Sequence, residues 1–311
     1  MQKFINQGGY PIGNGGGTCK TIADVEKFIK TAAGAIEIGS ITMDMRPGNT
    51  GTTAYNGGRF TLNSLGLPNP GKEYYEKHLK EMISLIHKAG KKAIVNIVGF
   101  SQEEYADLTK LAFECGADFV VLNYGCPNVW ASGTQKSILS YNLTALKKIT
   151  IYVLSQNPHQ ARSGKIGIKL SPIFDPAYIE ELCIFLNNLI EPILQENALG
   201  FVGFITTQNT VANCFFEDLG NSVISPNGGL AGMAGKAVFP MALGQIKQFR
   251  SLLNSNIKII GVGGVTSGED AYKMMKYGAD FVQVVSEIYF SEDLGRLNWI
   301  AADCKAKLDL Q

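Results

Sequence analysis

The sequence predicts an α/β protein folded as one (β/α)8 TIM barrel, with residues 1–311 forming a single domain. Three observations predict it. Short, β-branched apolar runs alternate with segments of helical period along nearly the whole chain, and a weak first run brings the number of strands to eight. The runs end abruptly in Gly, Asn or other polar residues, which is how a parallel α/β enzyme presents chemistry at the carboxyl edge of its strands. A composition of 45% apolar against 18% charged residues supplies one large core. A chain of this length could instead hold two ordinary domains. However, no linker, low-complexity stretch or repeat beyond the strand–helix unit divides it.

Tyr10-Pro11-Ile12 opens the first strand and runs into Gly13-Asn14-Gly15-Gly16-Gly17, where the backbone of Gly15 and Gly16 can approach a ligand closely. Thr21 and Asp24 come close to a capping box for the first helix. A second strand covers 35–41. Residues 43–72, rich in Gly, Asn, Thr and Pro, read as a long functional loop that contains Asn63. The spacing of Leu79, Met82, Ile83 and Ile86 predicts a helix over 73–89. The rhythm then runs strand 93–98, helix 103–115, strand 119–122, helix 143–154, strand 166–170 and helix 178–189. It closes with strand 201–206, helix 241–253, strand 257–262, helix 269–277, strand 281–285 and helix 294–308. A second long insertion, 208–240, follows the sixth strand.

Composition excludes several classes. A formal net charge of +1 gives no electrostatic case for nucleic acid or an anionic membrane. No apolar stretch reaches the ~18 residues of a membrane span, and the N-terminus lacks the pattern of a signal peptide. The six cysteines are scattered without a Cys-x-x-Cys pair, and the three histidines lie away from the strand ends, so no metal site is expected. These features together predict a reducing, cytoplasmic compartment and a small-molecule substrate.

The fourth strand carries the sharpest signal. Phe119-Val120-Val121-Leu122 turns at once into Asn123-Tyr124-Gly125-Cys126-Pro127-Asn128. On the run alone, an ordinary turn with a buried structural cysteine fits as well as an active thiol. In a barrel, however, these residues converge with those at the other strand ends. Those are Gly15 and Gly16, Lys169, Asn209 and Thr210, Gly263 and Gly264, and Val285 and Ser286. The loops after strands seven and eight, with a helix N-terminus, are where barrels hold a phosphate. Gly232 and Gly235 add a second glycine-rich stretch. Lys169 inside an apolar strand calls for an anionic or hydrogen-bonding partner if it points inward. Asn63, Asn123, Asn128 and Asn209 suit a planar heterocycle with imide groups, although each alone could be a turn-former.

The Asn-x-x-Cys-Pro-Asn element resembles the dihydroorotate dehydrogenase family. It is preceded by Asn-Ser-x-Gly-Leu-Pro-Asn and followed by Lys169, Asn209-Thr210, Gly-Gly-Leu-x-Gly and Gly-x-Gly-Gly. The similarity is to the cysteine-based class 1 and runs from about Pro11 to Ile288. The resemblance implies FMN-dependent oxidation of (S)-dihydroorotate to orotate in pyrimidine biosynthesis, and a homodimer. It implies that Cys126 is the base at C5, with hydride passing from C6 to flavin N5. Asn63, Asn123, Asn128, Asn209 and Thr210 would bind substrate. Gly15, Gly16, Asn123 and Lys169 would contact the cofactor. Gly232, Gly235, Gly263, Gly264, Val285 and Ser286 would surround its phosphate end. The sequence departs from the family where the strand-two motif usually carries a lysine: Gly39 stands there. The lid after Cys126 also carries an uncommon Trp130. A divergent flavin-binding paralogue, with another dihydropyrimidine-like substrate or little redox activity, is the alternative these departures allow.

Overall fold

A computed structural model describes residues 10–131, 134–190 and 200–310. Eight parallel strands close into a barrel. They are β1 (Tyr10–Asn14), β2 (Ala33–Ile41), β3 (Lys92–Ile97), β4 (Phe119–Asn123), β5 (Ile166–Lys169), β6 (Phe204–Thr206), β7 (Lys258–Val262) and β8 (Phe281–Val284). Each pairs with its sequence neighbour, and β1 closes on β8 through Ile12 opposite Val282. The helices are α1 (Ile22–Phe28), α2 (Lys72–Lys88), α3 (Gln102–Glu114), α4 (Leu143–Gln156), the short α5 (Pro158–Arg162), α6 (Pro176–Asn188), α7 (Phe239–Leu252), α8 (Gly268–Lys276), the short α9 (Ser286–Ser291) and α10 (Gly295–Asp309).

Local chemistry sets these boundaries. Thr21 Oγ1 accepts from Asp24 N while the Asp24 carboxylate accepts from Thr21 N at 3.0 Å, the reciprocal box expected from sequence. Ser101 and Ser267 cap α3 and α8 in the same position. The periodic face of α2 is fully buried against the barrel. Predicted and observed elements agree to within a few residues. The largest difference is β6, which begins at Phe204 rather than 201.

Side chains inside the barrel form two tiers two residues apart, the strand repeat. Ala35, Ile94, Val121, Phe204, Ile260 and Phe281 make a small apolar cluster distinct from the larger core between strands and helices. Phe204 occupies the room left by Gly167, where a Cβ would come within 2.3 Å of its ring. Two residues further along the same strands, toward the carboxyl edge, the tier becomes polar: Glu37, Asn96, Asn123, Lys169, Thr206 and Gln283, all buried.

The two insertions are not loops alone, which corrects the sequence reading. Their strands Ala54–Asn56, Thr61–Asn63, Val211–Cys214 and Ala231–Ala234 form one antiparallel sheet over the barrel mouth, with Asn63 opposite Gly232. No helix among the described residues is long and apolar enough to cross a membrane.

Candidate active site

The polar tier is the floor of the site. Asn123, Lys169 and Thr206 lie side by side in register at the ends of β4, β5 and β6. The Glu37 carboxylate accepts from the Asn96 amide at 2.7 Å and from the Gln283 amide. Ser40 Oγ donates to Asn96 Oδ1 at 2.6 Å, Asn123 Nδ2 donates to Ser40 Oγ at 3.1 Å, and Asn209 Nδ2 donates to Asn123 Oδ1 at 3.2 Å. The donors thus run from Asn209 down to one buried carboxylate, which fixes the direction of every amide along the way. Lys169 is buried and makes no ion pair or hydrogen bond through its ammonium with another described residue. It lines both cavities above the tier.

The first cavity, of about 530 Å³, holds the thiol. Cys126 follows β4 through Gly125, where any Cβ would lie 2.5 Å from the Leu170 backbone. Ser171 Oγ donates to Gly125 O at 3.0 Å, and Gly125 N donates to Asn123 Oδ1 at 3.3 Å. Asn128 Nδ2 donates to Asn63 O and Oδ1 at 2.9 and 2.8 Å, tying the cysteine loop to the sheet above. Asn63 Nδ2 in turn donates to Gly232 O at 3.3 Å. Burial pushes the Cys126 thiol above its ordinary 9.0, while the Asn128 backbone N–H and the charges of Lys169 and Arg46 pull it back. The lid continues into a hairpin, Trp130–Ala131 with Thr134–Gln135. Ser132 and Gly133 of the expected lid lie outside the described residues.

The second cavity, of about 960 Å³, is bordered by several glycine-bearing loops as well as by side chains. Gly16, Gly235, Gly263, Gly264, Val285 and Ser286 border it. Gly263 has φ +119°, and a Cβ there would meet Gln208 Nε2 at 2.0 Å. The glycine segments are clamped together: Lys236 Nζ donates to Asp270 Oδ1 at 2.5 Å, and Thr61 Oγ1 lies 3.2 Å from Ser286 Oγ. Buried Gln208 Oε1, Thr210 Oγ1 and Gln283 Oε1 have no hydrogen-bond partner among the described residues. Orphaned acceptors at a wall mark a place for a ligand that brings donors.

Most residues singled out from sequence meet here. Cys126, Asn63, Asn123, Asn128 and Asn209 line the thiol cavity, and Asn63, Asn209 and Thr210 also line the glycine-lined one. Gly15 and Gly232 lie just behind the walls. Gly15 leaves room for Val285, and Gly232 for Thr210. The N-terminus of α8 is already occupied by its own Ser267 cap, and Asp270 takes Thr266 N at 3.1 Å, so the cradle consists of the loops themselves. Sequence reasoning missed Lys20, Ser40, Glu37, Asn96 and Gln283. Three of them (Glu37, Asn96 and Gln283) could have been found as single polar residues at period two within apolar strands.

The arrangement is a barrel with two neighbouring cavities at its carboxyl mouth that share Lys169. Its family is shown by comparison: the model described as dihydroorotate dehydrogenase matches residues 2–302, and the chain belongs to that family of oxidoreductases acting on CH–CH donors. The chain is 29% identical over 294 residues to a "Probable dihydroorotate dehydrogenase A (fumarate)" of Streptococcus pneumoniae, covering 94% of this chain and 86% of that protein. It is 30% identical over 286 residues to the "Dihydroorotate dehydrogenase (fumarate)" of Lachancea kluyveri, covering 90% and 83%. The crystal structure of an Eimeria tenella dihydroorotate dehydrogenase with ferulenol superposes with a TM-score of 0.76 at 18% identity. It covers 96% of this chain and 82% of that one, and it bears on the fold alone.

Proposed function

We propose that this chain oxidises (S)-dihydroorotate to orotate in pyrimidine biosynthesis, with FMN as its bound redox group and fumarate as the electron acceptor. The observation that carries the reading is the shared wall. Cys126 and Lys169, whose ammonium has no partner among the described residues, line one small cavity, and Lys169 also lines the larger glycine-lined one. The residues present fit a flavin mononucleotide. Gly235, Gly263, Gly264, Val285 and Ser286 offer close backbone approach to a phosphate, and the orphaned Gln208, Thr210 and Gln283 oxygens can accept from a ring or ribityl chain. The glycine loops suit one phosphate, and the sequence has no strand–Gly-x-Gly-x-x-Gly–helix unit for a pyrophosphate, which favours FMN over FAD.

FMN, when bound, would take the hydride from substrate C6. The protein's own part is acid–base and positional. Cys126, as thiolate, removes the C5 proton onto Sγ, and the C5–H electrons become the C5=C6 double bond as the hydride leaves C6. Asn63, Asn123, Asn128 and Asn209 bind the ring's imide edges, with the directions of Asn123 and Asn209 fixed by the chain to Glu37 and those of Asn128 and Asn63 by their bonds to one another and to Gly232 O. Lys169 places positive charge where the cavities meet. A homodimer in a reducing cytoplasm belongs to the same reading, and the six unpaired cysteines support the compartment. The test supplies purified protein with (S)-dihydroorotate and fumarate without oxygen. Equal rates of orotate and succinate formation, with FMN in the supernatant after denaturation, are expected. No orotate, or FAD in place of FMN, overturns the reading.

A further inference from the structure

A carboxylate leaves water readily only against a cation or several donors. Among the described residues, two lysines line the thiol cavity, Lys20 and Lys169. Lys169 also lines the glycine-lined cavity, whereas Lys20 borders the thiol cavity alone.

Lys20 is held there by its backbone. Its N–H donates to Asp24 Oδ2 at 2.9 Å, and its carbonyl accepts from the Tyr75 hydroxyl at 3.0 Å. Tyr75 is fully buried in α2. One residue earlier, Cys19 O accepts from Gly39 N at 2.9 Å, and Gly17 N donates to Gly39 O at 2.7 Å. These bonds lay segment 17–20 along the carboxyl end of β2. Gly39 itself can carry no side chain: its φ is +116°, and a Cβ would lie 2.3 Å from Asn96 O. The position at which β2 could have contributed a cation is therefore closed, and the loop packed against it brings one instead. The Lys20 ammonium has no ion pair or hydrogen bond with another described residue. Burial lowers its pKa and the Asp24 charge opposes that, as for a cation still short of a counterion.

We propose that Lys20 binds the carboxylate of the substrate and so selects an acidic dihydropyrimidine over a neutral one. The proposal rests on the dihydroorotate reading above and names the residue that supplies charge in place of β2.

Calorimetric titration of the flavin-loaded protein with orotate and with orotamide, the same ring bearing a neutral carboxamide, tests it. Lys20→Gln should weaken orotate by about 10–100-fold, the range of a charge-assisted hydrogen bond, and leave orotamide unchanged. Lys20→Arg should recover most of the orotate affinity. Flavin content and melting temperature should match the parent in both variants. Equal orotate affinity in parent and Lys20→Gln overturns the proposal and leaves the dihydroorotate reading standing. Equal loss for both ligands also overturns it, because Lys20 would then shape the cavity rather than pair with a charge. A parent that does not bind orotate overturns the dihydroorotate reading, and this proposal with it.

Discussion

The two cavities at the barrel mouth are built by opposite means. The thiol cavity is a side-chain site lined by Cys126, four amides and two lysines; a hydrogen-bond chain anchored on Glu37 fixes the Asn123 and Asn209 amides, and bonds to one another and to Gly232 O fix Asn128 and Asn63. The glycine-lined cavity leans on glycine-bearing loops, beside side chains such as Gln208, Thr210 and Gln283. Three separate segments, around Gly16, Gly235 and Gly263–Gly264, supply it, and the Lys236–Asp270 and Thr61–Ser286 contacts hold them together. On the proposed reading, chemistry and cofactor retention are separable, with Lys169 alone among the described lysines lining both cavities. A substitution on one side should leave the other side's property intact.

The largest effect should come from the thiol side. Cys126→Ala should slow flavin reduction by dihydroorotate about 10²–10⁴-fold, the usual contribution of a positioned base, with flavin content unchanged. In the parent, the same rate should rise with pH through the thiol's pKa, which burial holds above 9.0 before ligand binds. Cys126→Ser should keep part of the rate only at high pH. Stopped-flow absorbance under nitrogen measures all three. An Ala variant reduced as fast as the parent would make Cys126 a packing residue and dissolve the contrast between the cavities.

A smaller effect is expected on the glycine side. Burial raises the Asp270 carboxyl, but Lys236, the Thr266 N–H and Ser267 outweigh it, and the net shift is downward. A depressed folded pKa means stability that is present above the unfolded value of about 3.9 and is lost as pH falls below it. Lys236 is nearly half exposed, so screening leaves most of the effect to the bonds from Thr266 and Ser267. Asp270→Asn should cost roughly 1–3 kcal/mol at neutral pH, flatten the loss of stability below pH ~4, and loosen the flavin while sparing the thiol's reactivity. Denaturant melts across pH and flavin release on dilution would show it. A variant with unchanged flavin affinity would mean that the clamp does not shape the cradle.

The barrel was legible because its signals are local. Caps such as Thr21–Asp24, the face of α2 and the abrupt end of β4 each lie within one short window. The sheet over the mouth was not, because Thr61–Asn63 pairs with Ala231–Ala234 across some 170 residues and neither segment is long enough to show a period. Lys169 was singled out, yet its inward direction depended on knowing that Gly167 faces Phe204. Glu37, Asn96 and Gln283 sit singly in apolar strands, and only the register of the closed barrel makes them one tier. Lys20 was hidden beside the Thr21 cap, where a lysine looks like ordinary solvent-facing chain. His87, one of the three histidines placed away from the strand ends, pairs with Asp118 at 2.7 Å.

The most direct measurement is the reductive half-reaction alone. The flavin-loaded parent is mixed with (S)-dihydroorotate under nitrogen with no acceptor, and absorbance and orotate are followed together. The expected result is bleaching of the flavin with one orotate formed per flavin reduced. A fully loaded protein that stays yellow with excess dihydroorotate, while dithionite still bleaches it, would contradict dihydroorotate oxidation by this chain.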